Sequence, residues 1–225
     1  MCDLFTPRAA TMIDSVTVGL TAALEPSDIL AGVDEAGRGS WAGPVAVGVA
    51  AVAAKDLARL LSQRWVREHL DDSKVLSAAW RESLLPLIKQ RFLTSFGTAS
   101  PYECDQLGMT AALRLAAERA FALLGVVPSL TILDGKHDYL ARAGVVTLVK
   151  GDSRSAPVAA ASLVAKVGRD SLMREAGLAM PAWGFAAHKG YGSRAHETAL
   201  IEHGLSDIHR RSWGYVKRLG LNADE

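Results

Sequence analysis

The sequence predicts an α/β fold: a five-stranded mixed sheet flanked by helices, with a helical extension at the C-terminus. Three observations predict it. Short apolar, β-branched runs are interspersed with longer segments whose apolar residues recur every three or four positions, in the order β, β, helices, β, helix, β, β, helix. The first two runs are joined by a short glycine-containing loop and therefore read as an antiparallel pair. The length of 225 residues, 49% of them apolar and 22% charged, suits one large domain that buries roughly 70 to 75% of its unfolded surface.

The elements follow in order. Residues 1 to 26 read as a poorly ordered N-terminal segment, 27 to 180 as the main domain and 181 to 225 as the extension. Ile29 to Val33 is the first strand, closed by Asp34, Glu35 and a glycine-rich turn. Val45 to Val52, between Pro44 and Lys55, is the second. Leu57, Leu60, Leu61 and Trp65 recur at helical spacing, and the polar stretch Asp71 to Lys74 follows. Ser77 can cap a helix carrying Trp80, Leu84, Leu87 and Ile88, with Pro86 as a candidate kink. Phe92 to Thr98 is the third strand. Ser100, Pro101 and Glu103 form a capping box with proline at the first helical position, which predicts one long helix to about Leu124. Leu130 to Leu133 and Val145 to Val149 are the fourth and fifth strands, and Pro157 opens a helix to about Glu175.

Composition excludes several classes. Cys2 and Cys104 are the two cysteines, with no CxxC pair and no zinc spacing, so neither a disulfide scaffold nor a zinc finger is expected, and a reducing, cytoplasmic setting is. No apolar run reaches the roughly 18 to 20 residues of a membrane span. The charge is near balance, with 25 basic and 24 acidic side chains, but His188 to Arg218 is locally basic. A charge run of this kind is ordinarily a solvated face; Lys189 and Arg194 are its candidate phosphate contacts if it is a binding face.

The chemistry-bearing pattern is acidic. Asp34 and Glu35 follow the first strand, Asp134 the fourth, and Asp152 lies just past the fifth. A single loop carboxylate ordinarily caps a turn, whereas four at the ends of three strands repel one another unless protonated, separated or neutralised by cations. Hard oxygen donors without cysteine or histidine suit Mg²⁺ or Mn²⁺, and two such ions about 3.5 to 4 Å apart can drive an in-line phosphoryl displacement. Beside these acids, Gly37, Arg38 and Gly39 offer backbone N–H groups and a guanidinium to a phosphate-bearing ligand. Gly37, Gly39 and Ala42 also satisfy the GxGxxA pattern of a dinucleotide turn. That motif should open a helix, however, and here Pro44 and a valine run open a strand.

Taken together these segments resemble ribonuclease HII. GVDEAGRG at Gly32 to Gly39 followed by WAGPV, DDSK at Asp71 to Lys74, LDGK at Leu133 to Lys136, KGD at Lys150 to Asp152, AAASLVAKVGRD at Ala159 to Asp170, HKGYG at His188 to Gly192 and IHRRSW at Ile208 to Trp213 match that family's motifs in order. The resemblance covers about residue 29 to 214. It implies an RNase H-like fold and an endonuclease cutting RNA in RNA/DNA hybrids, or 5′ to a ribonucleotide embedded in duplex DNA, to leave a 3′-OH and a 5′-phosphate. Asp34, Glu35, Asp134 and Asp152 correspond to the four metal-binding acids. Gly37, Arg38 and Gly39 correspond to the turn that contacts the 2′-OH, Tyr191 to a tyrosine stacking near the RNA-to-DNA junction, and Ser73 and Lys74 to a phosphate-contacting segment. Two Mg²⁺ or Mn²⁺ ions, a monomeric state and a role in ribonucleotide removal belong to the same implication. Ser40 and Trp41 depart from the family, which commonly has proline or cysteine and a smaller residue there. The rival reading from another class is a noncatalytic binder of hybrid or junction duplexes, against which the full set of acids argues, because carboxylates facing phosphate lower affinity.

The remaining polar residues read as structural. Asp170 lies four residues after Lys166 and pairs with it on a helix. Asp71 and Asp72 suit a turn, and the C-terminal histidines and the five tryptophans suit packing, with His188 the best candidate for a direct role.

Overall fold

The computed structural model describes residues 13–63, 65, 66, 70 and 77–221. The five predicted strands are present: β1 (Ile29–Ala36), β2 (Val45–Ala53), β3 (Leu93–Ala99), β4 (Leu130–Asp134) and β5 (Val145–Leu148). They form one mixed sheet in the order β3-β2-β1-β4-β5. β1, β2 and β3 are antiparallel neighbours, while β4 runs parallel to β1 and β5 parallel to β4. The helices are α1 (Ile13–Thr21), α2 (Ala54–Leu61), α3 (Ala78–Arg91), α4 (Pro101–Leu107), α5 (Met109–Leu124), α6 (Ala156–Ala179), α7 (Phe185–His188), α8 (Arg194–His203) and α9 (Gly214–Arg218). Helix α1 thus lies within the segment read from sequence as poorly ordered.

The sheet has two buried faces, and side-chain alternation assigns each residue to one of them. Leu30 of β1, Ala50 and Val52 of β2 and Ile132 of β4 join the core under α2, α3 and α6. Ala31 and Val33, Val45, Val47, Val49 and Ala51, and Leu133 join the opposite core under α5. Because β2 is covered on both sides it reads as an unbroken apolar run.

Helix α6 packs across β1 and β2. Its approach is close enough that a Cβ on Gly32 would lie 2.1 Å from the Pro157 carbonyl carbon, and one on Gly48 would lie 2.3 Å from the Ala161 carbonyl oxygen. The glycines of the strands and the alanine run of the helix are therefore one packing solution, which lays the helix over the ends of the strands that carry the acids.

Two local expectations are corrected. The Ser100 capping box is present, with Glu103 N–H donating to the Ser100 hydroxyl and Ser100 N–H to the Glu103 carboxylate. The helix it starts nevertheless stops at Leu107, because Gly108 adopts φ +75° and ψ 160°, and α5 begins anew at Met109. The strand closed by Asp34 and Glu35 is longer than read: both acids lie within β1 and are subject to its alternation. Ser77 caps α3 as expected, and the helix continues through Pro86.

Candidate active site

Asp34 and Asp134 occupy equivalent places on adjacent parallel strands. The register pairs Gly32 with Ile132 and Val33 with Leu133, so the next residue of each strand is an aspartate, and both point to the α6 face. Asp152 arrives from a 3₁₀ turn, Gly151–Ser153, that follows β5. Gly151 N–H donates to Asp134 Oδ1 at 2.7 Å and ties that turn to the strand end. One carboxylate oxygen from each of Asp34, Asp134 and Asp152 lies within 4.8 Å of the others. Asp34 and Asp152 are buried.

Burial pushes the Asp34 carboxyl well above the usual carboxylate range; a Ser162 hydrogen bond opposes this, and the charges of Glu35 and Asp134 add to it. Three oxygen donors converging without histidine or cysteine, one of them held uncomfortably as an anion, fit a hard divalent cation. These three aspartates would hold it.

Glu35 is not part of this convergence. As the residue after Asp34 it leaves β1 toward the opposite face, where Arg38 Nη1 lies 3.1 Å from Oε1 and the Tyr139 hydroxyl donates to Oε2 at 3.5 Å. Tyr139 is buried, and desolvation followed by the charges of Glu35 and Asp34 pushes its phenol well above its ordinary pKa, so it stays a donor. Glu35 still lines the cavity of about 500 Å³ that also takes in Asp34, Asp134, Gly37, Arg38, Gly39, Arg81, Ser162, Lys166 and Tyr191.

The turn after β1 is clamped by two arginines with no exposed surface. Arg210 donates to the carbonyls of Gly37 at 2.7 Å, Arg38 at 3.0 Å and Gly43 at 3.1 Å. Arg169 donates to the carbonyls of Pro44, Lys189 and Ala42 and to the Ser40 hydroxyl. Desolvation lowers the pKa of both guanidinium groups, Arg210 to about 10. Gly37 has φ +83°, and a Cβ there would lie 1.9 Å from Arg169 Nε, so both conformation and space require glycine. Gly39 meets neither demand: nothing lies within 4 Å of its Cβ position. Ser40 is buried and donates to Gly37 O at 2.8 Å. Trp41 stacks on Tyr215 at 4.7 Å and covers Gly192, which makes it part of the packing of the extension.

Tyr191 meets this turn from the extension. Gly37 N–H donates to its hydroxyl at 3.2 Å, while Lys166 Nζ and the Arg169 guanidinium lie 5.5 and 5.2 Å from its ring centroid. Behind it sits a histidine cluster whose hydrogen bonds fix the tautomers. His196 Nδ1–H donates to Tyr191 O, which leaves Nε2 to accept from His209 Nε2–H at 2.9 Å. His209 Nδ1 in turn accepts from Ser206 N–H. His188 stacks on His196, bonding Trp183 O through Nε2 and accepting Gly190 N–H at Nδ1. His188 therefore braces the tyrosine loop.

Burial, helped by neighbouring histidine charge, pushes His196 down to about 4 and His209 down to about 3. The unfolded chain, titrating near 6.5, takes up protons that the folded chain refuses, so stability is full above about pH 6.5 and falls on acidification toward 4. The slope approaches about 1.4 kcal/mol per pH unit for each histidine. Asp34, with its raised value, contributes in the opposite direction. Thermal unfolding between pH 7 and 5 should therefore show a clearly smaller loss in His209→Asn than in the unsubstituted protein; equal losses would exclude the buried pair as the cause.

Ser73, Lys74, Asp71 and Asp72 lie outside the described residues. Asp170 pairs with Lys166 at 2.8 Å as expected, and its burial makes the pair part of the helix packing. The sequence reading missed Arg169, Arg210, Tyr139 and Ser162. The paired arginines of IHRRSW and the Arg-Asp that closes AAASLVAKVGRD were the visible signals, since charged residues embedded in apolar motifs must find partners.

Comparison with known proteins agrees with this geometry. The sequence profile described as Ribonuclease HII matches residues 31–216. Ribonuclease HII of Streptomyces avermitilis is 48% identical over 194 residues, covering 85% of this chain and 79% of that protein. The Caulobacter vibrioides enzyme is 42% identical over 187 residues, covering 83% and 84%. Among solved structures, ribonuclease H2 from Pyrococcus horikoshii superposes with a TM-score of 0.68 at 26% identity, covering 85% of this chain and 96% of that one. Ribonuclease HII in the PCNA complex from Archaeoglobus fulgidus gives 0.68 at 26% identity, covering 86% and 97%. With an RNase H-like fold, converging aspartates and these relatives, the chain belongs to the ribonuclease HII family of metal-dependent endoribonucleases.

Proposed function

We propose that this enzyme, beyond the family's action on RNA/DNA hybrids, cuts 5′ to single ribonucleotides embedded in duplex DNA and serves their removal. The observation that carries the reading is the cavity in which Asp34 and Asp134, whose carboxylates converge with that of Asp152, meet the Gly37 turn and Tyr191. Asp34, Asp134 and Asp152 would hold two divalent cations, Mg²⁺ or Mn²⁺, with Glu35, which lines the adjoining cavity, as the fourth acid of the set. When bound, the ions supply activation of the attacking water and stabilisation of the leaving oxygen. Water adds to phosphorus and the bond to the 3′ oxygen breaks, leaving a 3′-OH and a 5′-phosphate. No protein nucleophile is required.

The chain's own residues supply recognition. Backbone groups of Gly37, Arg38 and Gly39, held by Arg210, face the ribose 2′-OH, the hydroxyl that separates RNA from DNA. The Tyr191 hydroxyl, already in contact with Gly37, shares that recognition while its ring lies under the following sugar. Ser73 and Lys74 contact phosphate. The protein acts as a cytoplasmic monomer; among the described residues no helix is long and apolar enough to cross a membrane.

The test compares an all-DNA duplex, an RNA/DNA hybrid and a duplex with one ribonucleotide, each with Mg²⁺, Mn²⁺ or chelator, with the cut position mapped. Metal-dependent cleavage of the last two, 5′ to the lone ribonucleotide, is the expected result. Cleavage of the hybrid alone would remove the embedded-ribonucleotide activity.

A further inference from the structure

Three donors converge on the carbonyl of Gly37. Arg210 Nη2–H reaches it at 2.7 Å, the Ser40 hydroxyl at 2.8 Å and Ser40 N–H at 3.3 Å. The next carbonyl, that of Arg38, takes Arg210 Nη1–H at 3.0 Å. Ser40 is fixed in turn from behind: its one hydroxyl proton goes to Gly37, and its oxygen accepts from Arg169 Nη2–H at 2.8 Å. Ser40, Arg169 and Arg210 have no exposed surface.

A buried guanidinium ordinarily takes a carboxylate. Every hydrogen bond of Arg210 goes instead to a backbone carbonyl, so its charge fixes the orientation of one turn. The consequence lies in the peptide units. None of them is cis, so each carbonyl and the N–H of the following residue point in opposite directions. With the carbonyls of Gly37 and Arg38 drawn to Arg210, the N–H groups of Arg38 and Gly39 face away from it. Both residues are exposed and line the active-site cavity, and neither N–H finds an acceptor among the described residues. Successive N–H groups presented in this way suit an oxygen ligand. The donors gathered on Gly37 O also polarise its peptide, which strengthens Arg38 N–H as a donor.

We infer that Ser40, with Arg169 and Arg210 behind it, determines sugar specificity by holding the Gly37 carbonyl so that Arg38 N–H is presented to the 2′ oxygen of a ribose. The inference rests on the proposed reading of the site, in which this turn meets the ribonucleotide. It adds which peptide unit reads the sugar and what sets the strength of that contact. Ser40, Arg169 and Arg210 are positioning residues: they are buried and act through the backbone of the turn.

The experiment measures equilibrium binding of metal-free protein to two duplexes that differ by one oxygen atom, a DNA duplex with a lone ribonucleotide and its all-deoxy counterpart. The unsubstituted protein, Ser40→Ala and Arg210→Lys are compared, and the ratio of the two affinities is the readout. Repulsion between the acids and phosphate, and the fraction of protein folded, weigh on both duplexes alike and cancel in that ratio. The unsubstituted protein should favour the ribonucleotide about tenfold, the range of hydrogen bonds to one hydroxyl. Ser40→Ala leaves Gly37 O with Arg210 and the backbone N–H of position 40, and should reduce the preference about threefold. Arg210→Lys keeps the charge but replaces the planar fork with a single ammonium, and should bring the preference near parity. A preference unchanged in both variants, with the two affinities falling together or not at all, would overturn the inference and leave the reading of the turn standing. Parity in the unsubstituted protein would overturn that reading and the inference with it. If Arg210→Lys does not fold, Ser40→Ala decides alone: a ratio equal to that of the unsubstituted protein excludes the assignment.

Discussion

Asparagine at Asp34 or at Asp134 is expected to lower cleavage about a hundredfold or more while the protein stays folded. Each change keeps the size of the side chain and removes one anionic oxygen donor from a set of three that meet within 4.8 Å. The loss should fall on turnover, because the turn proposed to face the substrate is held by Arg169 and Arg210 and not by the acids. Stability should move the other way at Asp34. Its carboxyl is raised by burial and by Glu35 and Asp134, so without metal the anion is a liability that asparagine relieves. Added Mg²⁺ or Mn²⁺ should raise the melting temperature of the unsubstituted protein, since the cation binds only the folded site, and should raise that of Asp34→Asn much less. Near-normal turnover of either variant at saturating metal would disprove the site assignment.

Tyr191→Ala should reduce cleavage at a lone ribonucleotide by roughly tenfold to a hundredfold, and cleavage within a long hybrid by less, since a stacking contact is worth about 1 to 3 kcal/mol. The residue is 36% exposed, with Lys166 and Arg169 near its ring, so truncation opens no large core cavity. Its hydroxyl takes the Gly37 N–H, a donor of the turn proposed to read the ribose. Tyr191→Phe separates the two contributions: stacking survives, and the loss that remains measures the Gly37 contact. Melting temperature and both rates are to be measured on one preparation. If the two substrates lose equally, or neither loses, Tyr191 has no part in recognising the junction.

Much of the architecture is local and therefore legible in the chain. The valine run of β2, the short turn before it, the Ser77 cap and the Ser100 capping box each carry their own instruction, and each is found where it was read. Gly108 shows the limit of such reading, because a glycine continues or breaks a helix according to a φ that the surrounding packing selects.

The four acids and the turn beside them were visible as residue types at strand ends, and the family motifs supplied their order. Which acids converge was decided by the sheet. The parallel register of β1 and β4 sets Asp34 beside Asp134 on the α6 face, and strand alternation sends Glu35 to the other. The arginines that hold the turn lie 129 and 173 positions from the residues they grip, and the hydrogen bonds by which the histidines brace Tyr191 join segments whose spacing in the chain gives no sign of a cluster. Sequence alone determines the period of an element and the chemistry of its side chains, because both are properties of neighbouring residues. Register, burial and the partner of a buried charge arise only when distant segments share one core, and in this protein those three decided the site.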